Sequence, residues 1–140
     1  TNMLLTLKSA EDELRDLTDT SAGRVAEAIA HGTLMGARGN SGVILSQYFR
    51  GWAQGLKGHQ TFSGGEIADA LSHASEAAYK AVSEPVEGTI LTVIKAASKG
   101  AREAVQSQRS APKEVWEWAC QSAKGKGPPL NESRNKAICA

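Results

Sequence analysis

The chain has 140 residues, of which 41% are apolar and only 5% aromatic, with 16 Lys and Arg against 15 Asp and Glu. That length suits one domain, and such a composition calls for an aliphatic core with alanine at many contacts. Near-neutral charge gives no electrostatic ground for a nucleic-acid or anionic-membrane partner, and no apolar run approaches the ~20 residues of a membrane span. Cys120 and Cys139 share no ligand spacing with each other or with His31, His59 and His73. That is not a zinc pattern; it reads as free thiols in a reducing cytoplasm, in a chain whose start shows no signal-peptide pattern.

Helical spacing runs from end to end. Met3, Leu7, Ala10, Leu14 and Leu17 recur in steps of four and three, and an alanine-rich segment with Val25, Ala28 and Ile29 follows Thr20-Ser21. Leu45, Tyr48, Phe49, Trp52 and Leu56 line a third helix. Ile67, Ala70, Leu71, Ala74, Ala77, Ala78 and Val82 line a fourth, which starts at Ser63 or the glycine after it. Ile90, Ile94, Ala97, Ala101, Ala104 and Val105 mark a fifth, and Val115, Trp118 and Ala119 a short sixth behind Pro112, a favoured first-turn residue. No segment alternates with period two, so the expected fold is all-α. Linkers are expected near Asp19-Thr20, 58–65, 83–87 and 107–112. Residues 124–140, KGKGPPLNESRNKAICA, carry a net +3 and little apolar surface, and are expected to form a disordered or aberrant tail after a domain at 1–123.

Three stretches could carry chemistry. In GARGNSGVILSQ (36–47), Gly36 and Gly39 are placed to end one helix, and Asn40 or Ser41 to cap the next. The free N–H groups and dipole of that first turn can bind an anion, but glycine helix ends are more often plain turns. The pattern lacks the Lys-Ser/Thr of a Walker A loop. In EPVEGTILTV (84–93), Thr89 can cap a helix or bond a ligand oxygen. Thr1-Asn2 precedes the first apolar stripe, with nothing in its spacing to make it functional. The histidines, the Glu11-Asp12-Glu13 run and Trp116 with Trp118 take structural readings: solvated faces for the charges, core and rim for the tryptophans.

Taken together, TNMLLTLKSA, HGTLMGARGNSGVILSQYFRGWAQGL and ASEAAYKAVSEPVEGTILTVIKAA resemble the DhaL-like (DAK2) nucleotide-binding domain, in the version found at the N-terminus of the fatty acid kinase catalytic subunit. A related domain is the ATP-binding subunit of dihydroxyacetone kinase. The resemblance covers about residues 1–123. It implies an antiparallel α-helical barrel with ATP across the loops at one end. Gly39, Asn40 and Ser41 would contact the phosphates, and Thr89 and Ile90 would lie against the nucleotide, Ile90 beneath the adenine. Thr1 and Asn2 would end the phosphate- and metal-binding loop. The glycines would then both turn the chain and admit phosphate.

In the family, an Asp-Gly-Asp-Thr-Gly loop holding Mg2+ precedes the TNM triplet, and a Val-Val-Asp-Ala-Gly-Gly segment closes the domain. Neither is in this sequence. The expectation is a barrel incomplete at both ends, with no catalytic or metal residue of its own. The family function is ATP-dependent phosphorylation of a fatty acid, or a dihydroxyacetone-like substrate, delivered by a lipid-binding (DegV-like) carrier. The alternatives are a non-catalytic scaffold and a helical interaction module. Incompleteness also predicts self-association through an exposed stripe, either Leu45, Phe49 and Trp52 or that of the first helix.

Overall fold

The computed structural model describes residues 1–126, which form six helices: α1 (Asn2–Arg15), α2 (Ala22–Met35), α3 (Gly39–Gly55), α4 (Gly64–Lys80), α5 (Ile90–Gln106) and α6 (Pro112–Lys126). Among these residues there is no strand, so the fold is all-α as its periodicity requires. Helix α6 continues to Lys126, three residues past the expected domain edge at Ala123, and is as long as its neighbours rather than short. The rest of the expected tail, 127–140, lies outside the described residues.

Each helix packs antiparallel on the next. Gly51 and Gly55 of α3 meet His73, Ala74 and Ala70 of α4, and Ser72 of α4 is 3.3 Å from Ser98 of α5, oxygen to oxygen. Helix α1 also touches α3, and α4 also touches α6, whereas α1 and α6 share no contact, so the described helices form an open array rather than a closed ring. The core is aliphatic and alanine-rich. Ile67, Leu71, Ala101, Ala104, Val115 and Ala119 join α4, α5 and α6. Ala26, Ala53, Leu56 and Ala70 join α2, α3 and α4. A third group, Ala78, Leu91 and Ile94, joins α4 to α5, with Ile44 and Tyr48 of α3 packed against it.

Alanine and glycine at these contacts let helix backbones approach closely. A Cβ on Gly51 would fall 2.3 Å from the His73 carbonyl oxygen, and one on Gly55 would fall 2.6 Å from the Ala70 Cα.

Helix α1 buries only part of its expected stripe: Ala10 is buried and Leu14 half-buried. Its buried residues are Thr6 and Ala10, while Met3, Leu4 and Leu7 are 38%, 56% and 41% exposed. Leu17 falls beyond the helix, which stops at Arg15. The reason lies in α2, where Gly32 and Gly36 present bare backbone. A Cβ on Gly32 would sit 2.6 Å from the Ala10 Cα. So close a crossing admits only small side chains, which turns Thr6 and Ala10 inward and Leu4 and Leu7 outward. The other stripe expected to be exposed is not: Leu45 is buried, and Phe49 and Trp52 are half-buried.

Candidate functional site

Antiparallel packing of successive helices puts the N-termini of α1, α3 and α5 at one end of the array. Two of them are in contact. Asn2 lies against Gly39, where a Cβ would be 2.5 Å from Asn2 Nδ2, and Gly39 has φ +62°, which strains any residue with a side chain. Behind this contact, Thr6 ties the two helices together. Its hydroxyl donates to the Asn2 carbonyl at 2.8 Å and accepts from the Arg38 N–H at 3.2 Å.

The cap of α3 differs from the expected one. Arg38, in extended conformation with φ −127° and ψ 124°, is the residue ahead of the helix, and Gly39 opens it. Asn40 and Ser41 therefore stand inside the first turn, not at the cap, and no side chain caps the helix. Among the described residues, the N–H groups of that turn have no side-chain acceptor. The preceding helix ends at Gly36 with φ −98°, so Gly36 does not supply the left-handed turn. Its role is clearance: a Cβ there would collide with the Ser9 side chain of α1.

Thr1 precedes α1 and makes no side-chain cap bond. Thr89 does cap α5. Its hydroxyl accepts from the Leu91 N–H at 3.4 Å and donates to the Val86 carbonyl at 2.7 Å. The hydroxyl proton is thus spent within the loop, and what Thr89 can offer a ligand is a remaining lone pair. Glu87, just ahead, accepts from the Thr92 hydroxyl at 2.8 Å. Ile90 is half-buried against the group of Ala78, Leu91 and Ile94. The structure therefore brings Asn2, Gly39 and the turn containing Asn40 and Ser41 together, and sets Thr89 and Ile90 at the same end, across the last turn of α4.

Two residues at this end carry no signal in the sequence pattern. Tyr79, in that last turn of α4, holds a shielded phenol oxygen with no hydrogen-bond partner among the described residues. Burial, with Glu87 second, raises its pKa. Thr6, set among leucines, gives no hint of the bond it makes to Arg38. The structural readings of other residues hold. His31 pairs with Glu13 at 3.1 Å, Glu11 and Asp12 face Arg15, and Trp116 stacks on Trp52 with ring centres 5.3 Å apart.

What this end can do chemically follows from its donors. The first turns of α1, α3 and α5 contain no acidic residue, so backbone N–H groups, hydroxyls and the Asn2 amide at α1 and α3 face an incoming anion without a carboxylate in either turn, while Glu87 stands beside the start of α5. These groups, Gly39's bare Cα and the orphaned Tyr79 oxygen fit a polyphosphate. The described residues include no group of three or more His, Cys, Asp or Glu able to hold a metal ion, and so they do not fit a magnesium cage. No described helix is long and apolar enough to cross a membrane. A concavity of about 510 Å3, lined by Val25, Ile29, Trp52, Leu56 and Phe62, lies at the opposite end and is apolar.

The family model for the DAK2 domain matches residues 1–127. An uncharacterized protein of Staphylococcus epidermidis is 47% identical over 105 residues, 75% of this chain and 19% of that protein. Protein YloV of Bacillus subtilis is 48% identical over 101 residues, 72% of this chain and 18% of its own length. An uncharacterized protein of Staphylococcus aureus strain USA300 is 45% identical over 103 residues, covering 74% and 19% respectively. The chain thus spans about 19% of the length of the curated relatives it matches. With the match running through every described helix, the chain belongs to the DAK2 domain family.

Proposed function

We propose that this domain binds the phosphates of ATP at the joined N-termini of α1 and α3 and serves as the nucleotide-binding part of an ATP-dependent phosphotransferase. The observation that supports the reading most is the Asn2–Gly39 contact, which sets two helix N-termini side by side with no acid in either first turn. N–H groups of Gly39, Asn40 and Ser41 hold phosphate oxygens, with the Asn2 amide and Thr1 beside them. Thr89 and Ile90, at the start of α5, bound the nucleoside side. Phosphoryl transfer needs positioning and neutralisation of charge on the transferred group, and fixed backbone donors supply part of both without reorganisation.

The acceptor in this reading is a fatty acid presented by a lipid-binding carrier. Its carboxylate oxygen attacks the terminal phosphorus, the bond from that phosphorus to the bridging oxygen breaks, and an acyl phosphate and ADP leave. The family uses Mg2+ in this chemistry. The described residues offer it no carboxylate cage, so their own share of the work is binding and orientation, and the isolated chain is expected to transfer no phosphate.

Calorimetric titration with ATP, with and without magnesium, tests the reading. Binding that does not depend on magnesium is the expected result. A folded protein that binds ATP in neither condition would overturn it. A second reading, a helical interaction module, is favoured by the exposed Met3, Leu4 and Leu7 of α1. It predicts self-association in sedimentation velocity, which a monodisperse monomer would rule out.

A further inference from the structure

We propose that α1 is a hinged arm, which undocks as a unit from α2 and α3 while α2–α6 stay folded, and so makes or breaks the Asn2–Gly39 junction. The inference does not depend on what binds there. The two edges of the open array are held in different ways. At one edge, α6 places Val115 and Ala119 in a core group with Ile67 and Leu71 of α4, and Trp116 stacks on Trp52 of α3. At the other edge, among the described residues, nothing from α1 belongs to any of the three core groups or packs against them.

Helix α1 buries only Thr6 and Ala10, and its large apolar side chains Met3, Leu4, Leu5 and Leu7 are exposed. Hydrophobic stabilisation scales with the apolar area removed from water, so this docking gains little from burial. The polar ties across it are few. The Thr6 hydroxyl accepts from the Arg38 N–H at 3.2 Å, and Glu13 meets His31 of α2 at 3.1 Å with both side chains open to solvent. Single hydrogen bonds contribute modestly, and exposed pairs contribute less. The ion pairs of Arg15 with Glu11 and Asp12 lie within α1 and hold it to nothing else. Bare backbone at Gly32 and Gly36 lets α1 approach closely, but against Ala10 and Ser9 it buries few side-chain atoms.

The connection to α2 suits a hinge. Residues 16–20 are not helical, and all but the half-buried Leu17 are exposed. Segments with few buried apolar contacts open at a lower free energy than the whole fold. Asn2 travels with α1 and Gly39 stays with α3, so each opening takes their contact apart.

The test is native-state hydrogen exchange of the full chain across low urea concentrations, under conditions where exchange reports the opening equilibrium. Amides of residues 5–15 should be protected at least about a hundredfold less than the core amides of α4 and α5. Their protection should also depend more weakly on urea, because undocking exposes less surface than unfolding. Ile67→Val then separates arm from fold, since Ile67 lies in a core group that α1 does not touch. It should lower protection in α4 and α5 by about twofold to tenfold and leave that of α1 where it was, because the docked and undocked states lose the same contact. A fall in α1 equal to that in α4 would overturn the arm, as would equal protection and equal urea dependence in the parent chain. Exchange of α1 at the rate of an unstructured chain would overturn it too, since there would be no docked state to leave.

Discussion

The two ends of the helical array treat their helix N-termini in opposite ways. At the end where α2, α4 and α6 begin, each N-terminus has its own acid. Asp19 accepts from the Ser21 N–H at 2.9 Å ahead of α2, Glu66 accepts from the Ser63 N–H at 2.8 Å at α4, and Glu114 lies in the first turn of α6. At the other end the first turns of α1 and α3 contain no acid, and Arg38 precedes α3. Helix α5 is intermediate, with Thr89 and Glu87 satisfying its own loop. An N-terminus that completes itself is stabilised, and one left open has donors to give to something else. On the nucleotide reading proposed above, the fold separates an end that completes its own helix termini from an end that offers donors to a ligand.

Asp19 shows what completion means. Its bond from the Ser21 N–H holds its carboxyl below the ordinary value. A depressed folded pKa contributes stability above the unfolded pKa, lost as pH falls through the folded one. The closed end should therefore loosen in acid, whereas α1 and α3, with no acid in their first turns, lack that source of acid sensitivity.

The largest effect on the comparison should come from the closed end. Gly64 begins α4, donates its N–H to the Ser110 carbonyl at 3.0 Å, and leaves no room for a Cβ, which would sit 2.3 Å from that oxygen and 2.7 Å from Val115 Cγ2. Gly64→Ala should cost about 2 to 3 kcal/mol of stability in urea unfolding, while ATP affinity of the folded protein stays as it was. At the open end Gly39→Ala should cost about 1 to 2 kcal/mol for its left-handed φ and also weaken ATP, because the new Cβ displaces Asn2. If both variants lost stability and binding alike, the two ends would not be separate.

Much of this was legible in the sequence, and what was missed has one cause. Helix positions, the aliphatic core, the Ser63 start of α4 and the Thr89 cap follow from periodicity and capping chemistry. The orientation of α1 does not. Periodicity assumes that larger apolar residues face inward, and at the Gly32–Ala10 crossing the backbones are too close for that. The α3 cap was missed for a related reason. Asn40 and Ser41 are good capping residues, but Gly39 can take the left-handed conformation and start the helix two or three residues earlier, leaving both in its first turn. The joining of Asn2 to Gly39 is a tertiary fact, and at sequence level only the family resemblance pointed to it.

At intermediate size, Glu66→Gln should remove the charge from the α4 capping interaction. Its loss should destabilise the fold by about 1 kcal/mol, read as a lower urea midpoint, without touching ATP affinity. An unchanged midpoint would mean that the acid at this terminus does not contribute to stability.

The smallest energy carries the sharpest test. Asn40→Asp places a carboxylate of nearly the same shape in the first turn of α3, giving the open N-terminus what the closed ones already have. A negative charge there should interact favourably with the helix terminus by about 0.3 to 1 kcal/mol, and Arg38 beside it gains a partner, so the urea midpoint should rise. The same carboxylate repels phosphate and competes for the N–H groups of Gly39, Asn40 and Ser41, so ATP affinity should fall. A substitution that stabilises the fold while removing a ligand is the signature of a terminus kept incomplete for binding. If Asn40→Asp raised the midpoint and left ATP affinity unchanged, the phosphates would lie elsewhere. If it lowered the midpoint, the first turn of α3 would not be the electropositive terminus that its geometry describes.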